Sequence, residues 1–351
     1  MKKWKVMLIM LLCMALLTAC GKGSKTGDSK EATKVPEATT TPTATTASAQ
    51  APTQKIDINI AALKGPTAIG MVKMMNDTES GTTANNYNFK IAGAADEISA
   101  GLVKGDFDIA AVPCNLASVL YNKTKGGIKL AGINTLGVLY IVETGNTIKS
   151  VKDLKGKTIY ATGLGTTPQY TLNYILKANG INPEKDVTIE YKTEPTEVAA
   201  ILGKSSNAIA MLPQPYVTTV LMNNSKLKIA LNLADEWNAV SSDGSTVVTG
   251  VIVVKSEFLE KNKSAFEAFM KEYTDSAAYV NDNVEEAATL VEKFGIFKAV
   301  PIKKAIPNCN ITMIQGDEMK QKVSGYLNAL YKQNPKSIGG ILPADDFYYI
   351  P

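Results

Sequence analysis

Histidine and arginine are both missing from this 351-residue chain, so all 37 of its basic residues are lysines. Without histidine, neither a Ser-His-Asp nor a Cys-His catalytic unit can be assembled, which argues against an enzyme of those kinds. With no histidine and no cysteine cluster, the chain offers nothing for a zinc or copper site, and neither metal nor cofactor is expected. Without arginine, the planar fork that grips carboxylate, sulfonate or phosphate through two hydrogen bonds is missing too. Cysteine is scarce: beyond the first 20 residues only Cys114 and Cys309 remain. Two cysteines fix no disulfide framework, and buried free thiols are expected. Charge is also nearly absent as a signal. The net charge of +4 falls to +1 once Lys2, Lys3 and Lys5 are removed with a leader that carries no acid. Such a balance gives no general attraction to nucleic acid.

The leader itself is plain. Three lysines precede an apolar run, Val6 to Leu17, that is too short to be a good membrane span. It ends Leu17-Thr18-Ala19-Cys20-Gly21, and small residues before a Cys at that place resemble a bacterial lipobox. Residues 1–20 are therefore predicted to be a lipoprotein signal peptide, with Cys20 lipidated and the protein extracytoplasmic. Residues 21–54 are rich in Thr, Ala, Ser, Lys and Pro and cannot bury a core. They predict a flexible tether whose root-mean-square span is on the order of 30 Å.

The remaining residues contain one pattern twice, a hundred positions apart. The first copy runs Ala62-Leu63-Lys64-Gly65-Pro66-Thr67, then Glu97 to Lys104, then Asp108 to Pro113. The second runs Thr162 to Thr167, Glu197 to Lys204 and Ala208 to Pro213. The shift maps Gly65 onto Gly165, Thr67 onto Thr167, Glu97 onto Glu197 and Pro113 onto Pro213 without a gap. Solenoid repeats run roughly 20–50 residues, so this period indicates a duplicated α/β half and a two-lobed protein with its turns facing a shared cleft.

Local signals agree. Ile56, Ile58 and Ile60 alternate with polar residues and predict a strand over 55–63, followed by a turn and a helix carrying Ile69, Val72 and Met75 inward. The apolar runs Phe107–Val112 and Ala208–Leu212 read as buried parallel strands. Thr166 or Thr167 is placed to N-cap a helix that has Pro168 at its first position and Gly180 past its end. Val251 to Lys255 reads as a returning strand, with helices over 257–281, 284–293 and 317–332.

In doubly wound sheets, ligands sit beyond the carboxyl ends of strands, often at helix N-termini whose free N–H groups favour polar or anionic groups. Four turns fit: 64–67, 113–115, 165–170 and 213–216. The candidate ligand-binding residues are Lys64, Gly65, Pro66, Thr67, Asn115, Thr166, Thr167, Gln169, Tyr170, Gln214 and Tyr216. Tyr170, Tyr216 and Trp237 suit a cleft wall or a packed core equally. Glu97 and Glu197 read as helix-start residues, and Lys104 and Lys204 as solvated.

Several of these segments resemble extracytoplasmic solute-binding proteins of ABC importers. They are the lipobox, Lys64-Gly-Pro-Thr67, Val112-Pro-Cys-Asn115, Ser150-Val-Lys-Asp-Leu-Lys-Gly-Lys157, Gly165-Thr-Thr-Pro-Gln-Tyr170 and Leu212-Pro-Gln-Pro-Tyr216. The likeness is to the aliphatic-sulfonate, taurine, nitrate and thiamine-precursor group, the NMT1/THI5-like superfamily. It implies a type II periplasmic-binding-protein-like fold, each lobe a mostly parallel sheet flanked by helices, with a two-strand hinge. Lobe 1 is expected at 55–143 plus 252–351 and lobe 2 at 144–251, with crossings near Val142–Asn146 and Gly250–Val254. The implied protein is no enzyme: a monomer delivers a small polar or anionic organic solute to a permease and its ATPase. Two other functions fit the same fold, a ligand-sensing lipoprotein and an enzyme of the superfamily; its pyrimidine synthases rely on a histidine that this chain lacks.

Cys20→Ala is expected to abolish metabolic labelling with a radioactive fatty acid. A variant that still carries the label would refute the anchor.

Overall fold

The computed structural model describes residues 55–351, so the expected leader at 1–20, Cys20 and the tether at 21–54 lie outside the described residues. In chain order the strands are β1 (Asp57–Leu63), β2 (Asn86–Ala92), β3 (Ile109–Pro113), β4 (Ile128–Leu136), β5 (Leu139–Glu143), β6 (Thr158–Thr162), β7 (Thr188–Lys192), β8 (Ile209–Pro213), β9 (Lys228–Asn232), β10 (Val248–Lys255) and β11 (Ile311–Ile314). They form two sheets flanked by helices, ordered β11-β4-β10-β3-β1-β2 and β7-β6-β8-β5-β9.

Read inward from β2 and from β7, the sheets share one plan. Three parallel strands are followed by one antiparallel strand, beyond which lie β4 and β11 in the first sheet and β9 in the second. The hundred-residue shift carries β3 onto β8, and the helix Ala95–Lys104 onto the helix Pro195–Lys204, end to end. β3 is buried at all five positions, as a strand covered on both faces must be, which is why it reads as an unbroken apolar run.

The chain changes sheet at the antiparallel strands, and here the expected boundaries need correcting. β4 ends in the first sheet at Leu136 and β5 begins in the second at Leu139; the return falls between Val240 and Val248. Val142, expected at a crossing, instead pairs with Ala210 and Ile229 inside the second sheet. Gly250 pairs with Pro113 and Thr135 inside the first. An apolar run such as 137–142 shows that a strand is buried, but not which sheet buries it.

Other departures are local. The helix expected after Pro66 is split into Pro66–Ile69 and Val72–Glu79, and the Gly70 carbonyl at the break accepts a hydrogen bond from Ser276 Oγ at 2.7 Å. The helix expected over 257–281 breaks at Asn262. Cys114 and Cys309 are buried free thiols, and burial pushes the Cys309 thiol up to about 12.

Trp237 is a core residue rather than a cleft wall. It is fully buried, stacks on Tyr174 with ring centroids 3.9 Å apart, and lies 5.1 Å from the Tyr326 ring. Its indole N–H donates to the Ser245 carbonyl at 3.0 Å, so the polar edge of a large apolar group is satisfied. Tyr326 belongs to the helix Gly316–Gln333, and its hydroxyl meets Thr171 Oγ1 at 2.9 Å. These contacts fasten that C-terminal helix to the helix Thr167–Ala178, which follows β6.

Glu143 closes β5 with only 1% of its surface exposed. Burial alone would raise its pKa, but the Thr147 N–H (3.0 Å), the Ile148 N–H (3.2 Å) and the Thr147 hydroxyl (2.9 Å) all donate to the carboxylate. Together with the charge of Lys228 they leave the pKa below the ordinary glutamate value. A carboxylate depressed in the folded state contributes stability above its unfolded pKa, and that contribution is lost as pH falls through the folded one. Glu143→Gln is therefore expected to be less stable than the parent at neutral pH, with the gap closing in acid. Urea unfolding across a pH series measures it; parallel pH curves would contradict the assignment.

Candidate functional site

Between the carboxyl ends of the two sheets lies a cavity of about 380 Å³, the place where open α/β sheets hold ligands. Its wall is built largely from equivalent segments of the two halves. Leu63–Thr67 after β1 faces Thr162–Pro168 after β6; Gly93–Asp96 after β2 faces Tyr191–Pro195 at the end of β7; Pro113 closes β3 as Pro213 closes β8. Thr135, Val138, Leu139 and Thr249 complete it from the two crossings.

Of the residues expected from sequence, Lys64, Gly65, Pro66, Thr67, Thr166, Thr167, Gln214 and Tyr216 line this cavity, while Asn115, Gln169 and Tyr170 do not. The hydroxyls and amides among them are largely committed elsewhere. Thr67 Oγ1 donates to the Leu63 carbonyl at 2.6 Å, and Gln214 Oε1 accepts from the N–H and hydroxyl of Thr218 at 3.2 and 2.9 Å. Thr166 stands at the N-cap position of its helix, yet its hydroxyl turns back to the Gly163 carbonyl at 2.9 Å. Tyr170 packs against the core, where burial raises its pKa.

Asn115 and Gln169 shape the turn rather than contact its contents. Asn115 is fully buried; its Nδ2 donates to the carbonyls of Gly165 (3.2 Å) and Ser337 (2.9 Å), and its Oδ1 accepts the Thr167 hydroxyl at 3.2 Å. Gln169 Oε1 accepts the Gly165 N–H at 2.7 Å. Gly163 and Gly165 take φ of +81° and +74°, a left-handed backbone that other residues adopt at a cost. Between them Leu164 stands 64% exposed at the cavity wall.

Charge is confined to the rim. Lys64 and Asp96 are exposed, Lys64 Nζ lying 5.7 Å from the Phe297 ring centroid. Lys192 is half-buried and ion-paired with Glu190 at 3.1 Å. At the mouth, Gly93 approaches Glu194 so closely that a methyl group there would come within 2.8 Å of its Oε1. Burial pushes Tyr216 up to about 12, so it is a neutral donor at physiological pH. Among the described residues, no group of three or more acidic or cysteine side chains could hold a metal ion.

Sequence reasoning missed Thr135, Thr249 and the two turns Gly93–Asp96 and Tyr191–Pro195. The hundred-residue shift relates these two turns to each other, a signal of the same kind as the one that marked 64–67 and 165–170. Thr135 and Thr249 gave no signal: they are β-branched residues at strand ends, where such residues are ordinary.

The family model described as NMT1/THI5 like matches residues 129–287. The matched region takes in the whole second sheet together with β10 and nearly all of β4. The chain is similar to an ABC transporter structure from Parabacteroides distasonis at 28% identity and a TM-score of 0.68, covering 84% of this chain and 98% of that one. It shares its fold with the periplasmic aliphatic sulphonate binding protein SsuA from Escherichia coli (17% identity, TM-score 0.66, 82% and 96% covered). It does so equally with the alkanesulfonate-binding protein SsuA from Xanthomonas axonopodis pv. citri bound to MOPS (12%, 0.66, 84% and 98%). No curated protein matches it in sequence. The fold is that of the periplasmic binding proteins, and among the described residues no helix is long and apolar enough to cross a membrane.

Asn115→Ala strips partners from one buried hydroxyl and two carbonyls. Leaving buried groups unpaired costs about 1–3 kcal/mol, so chemical unfolding should show a loss of that size. Gln169→Ala, whose bond to Gly165 is exposed, should lose less; the reverse order would show that Asn115 does not hold the turn.

Proposed function

We propose that this chain is the solute-binding component of an ABC-type importer, held at the outer face of the membrane by a lipid on Cys20 and the tether at 21–54. A small organic solute enters between the two sheets, the halves close over it, and the closed protein presents it to a permease and its ATPase. The observation that carries this reading is the cavity itself, walled by equivalent turns of a duplicated half. Its position between the carboxyl ends of two sheets suits capture by closure. The likeness to an ABC transporter structure at 28% identity supports the transport role.

Binding rather than catalysis is favoured by the wall's hydrogen bonds. No lining hydroxyl is bonded to a carboxylate or a lysine; Thr67, Thr166 and Thr167 turn to carbonyl or amide oxygens. An activated nucleophile needs such a base within reach.

Native mass spectrometry of the purified mature chain is expected to show one small molecule bound per protein. Adding that molecule back to dialysed protein should lower the radius of gyration in small-angle X-ray scattering, because a ligand that contacts both halves shifts the population toward closure. Scattering curves that superpose with and without a ligand proven to bind would rule out closure.

A further inference from the structure

Three side chains in the cavity wall carry buried hydroxyls with no hydrogen-bond partner in the protein: Thr135, Thr249 and Tyr191. Buried polar groups are nearly always paired, so three orphans around one cavity ask for a reason. Thr135 is 1% exposed near the end of β4, directly opposite Gly250 in the ladder, and Thr249 is the neighbour of that glycine on β10. The two threonines thus stand side by side where the chain passes between the sheets. Around them the wall is apolar, with Leu63, Val138 and Leu139.

The same wall is poor in what an oxyanion requires. The chain has no arginine, Lys192 is committed to Glu190, and Lys64 is out at the exposed rim. Four of the helix starts that reach the cavity each lose one N–H donor to proline, with Pro66, Pro168 and Pro195 within the first two positions and Pro215 at the cap before Tyr216; the start of Ala95–Lys104 carries no proline. The N–H groups of Ala68 and Ile69 go to the Gly65 carbonyl, and that of Gly165 to Gln169. An anion placed here would leave water without meeting an arginine or an uncommitted interior lysine, an exchange that disfavours the charged form.

We infer that the cavity selects an uncharged small molecule with an apolar body and two or three hydrogen-bonding atoms, met by Thr135, Thr249 and Tyr191, over an oxyanion of the same size. This rests on the solute-binding reading above and narrows it to a ligand class unlike the sulfonates named for the SsuA structures.

The test is calorimetric titration of the dialysed mature chain with matched probes: benzamide against benzenesulfonate, nicotinamide against pyridine-3-sulfonate, and cyclohexanecarboxamide against cyclohexanesulfonate. At least one amide should bind ten or more times tighter than its sulfonate. Thr135→Val, Thr249→Val and Tyr191→Phe should each weaken that amide roughly three- to tenfold, the range of one neutral hydrogen bond. They should leave the melting temperature of the unliganded protein unchanged or raised, because the deleted hydroxyls bond nothing in the fold. A lowered melting temperature with unchanged affinity would overturn the inference, since the hydroxyls would then serve the fold. Tighter binding by the sulfonates would overturn it while leaving solute capture intact. Failure of all six probes, with no small molecule seen by native mass spectrometry, would remove both.

Discussion

Two antiparallel strands hold the architecture together. β5 lies between β8 and β9, and β10 between β4 and β3; each is the strand by which the chain, having left one sheet, enters the other. Only two residues separate β4 from β5, so the ends of the two sheets cannot move far apart. The parallel strands of both halves therefore point their carboxyl ends at one gap. The cavity is a consequence of that connection, and the turns that wall it are those that the topology leaves at the strand ends.

This explains what was legible in the sequence and what was not. Duplication left a trace that survives residue by residue, so β3 and β8, and the helices preceding them, can be placed from the order of amino acids alone. The turns at 64–67 and 165–170 were visible through glycine and proline, whose backbone restrictions act locally. The crossings were not, because Val142 and Gly250 sit in apolar runs and burial carries no label of which sheet provides it. Asn115 illustrates the same gap at the site. An asparagine after a buried strand looks like a ligand contact; that its amide instead reaches Gly165 and Ser337, 50 and 222 residues away, depends on tertiary packing alone.

The charge distribution follows a related logic. Lysine is a strongly hydrated point charge on a flexible stem, and the lysines near the cavity stay at its rim or beside Glu190. The polar groups that the strands bring to the interior are hydroxyls, which are held by the ladder and cost little conformational entropy to keep in place.

The turn Gly163-Leu164-Gly165 is held from three sides, by Thr166 on the Gly163 carbonyl, Gln169 on the Gly165 N–H and Asn115 on the Gly165 carbonyl. Its shape is thus set during folding, without help from a guest. A disordered loop would have to be frozen at each encounter, and the loss of freedom would be charged against every arrival. Here that entropy has already been surrendered once, when the chain folds. Discrimination among guests then falls to contacts rather than to loop ordering, and a molecule that fits meets a wall already in position.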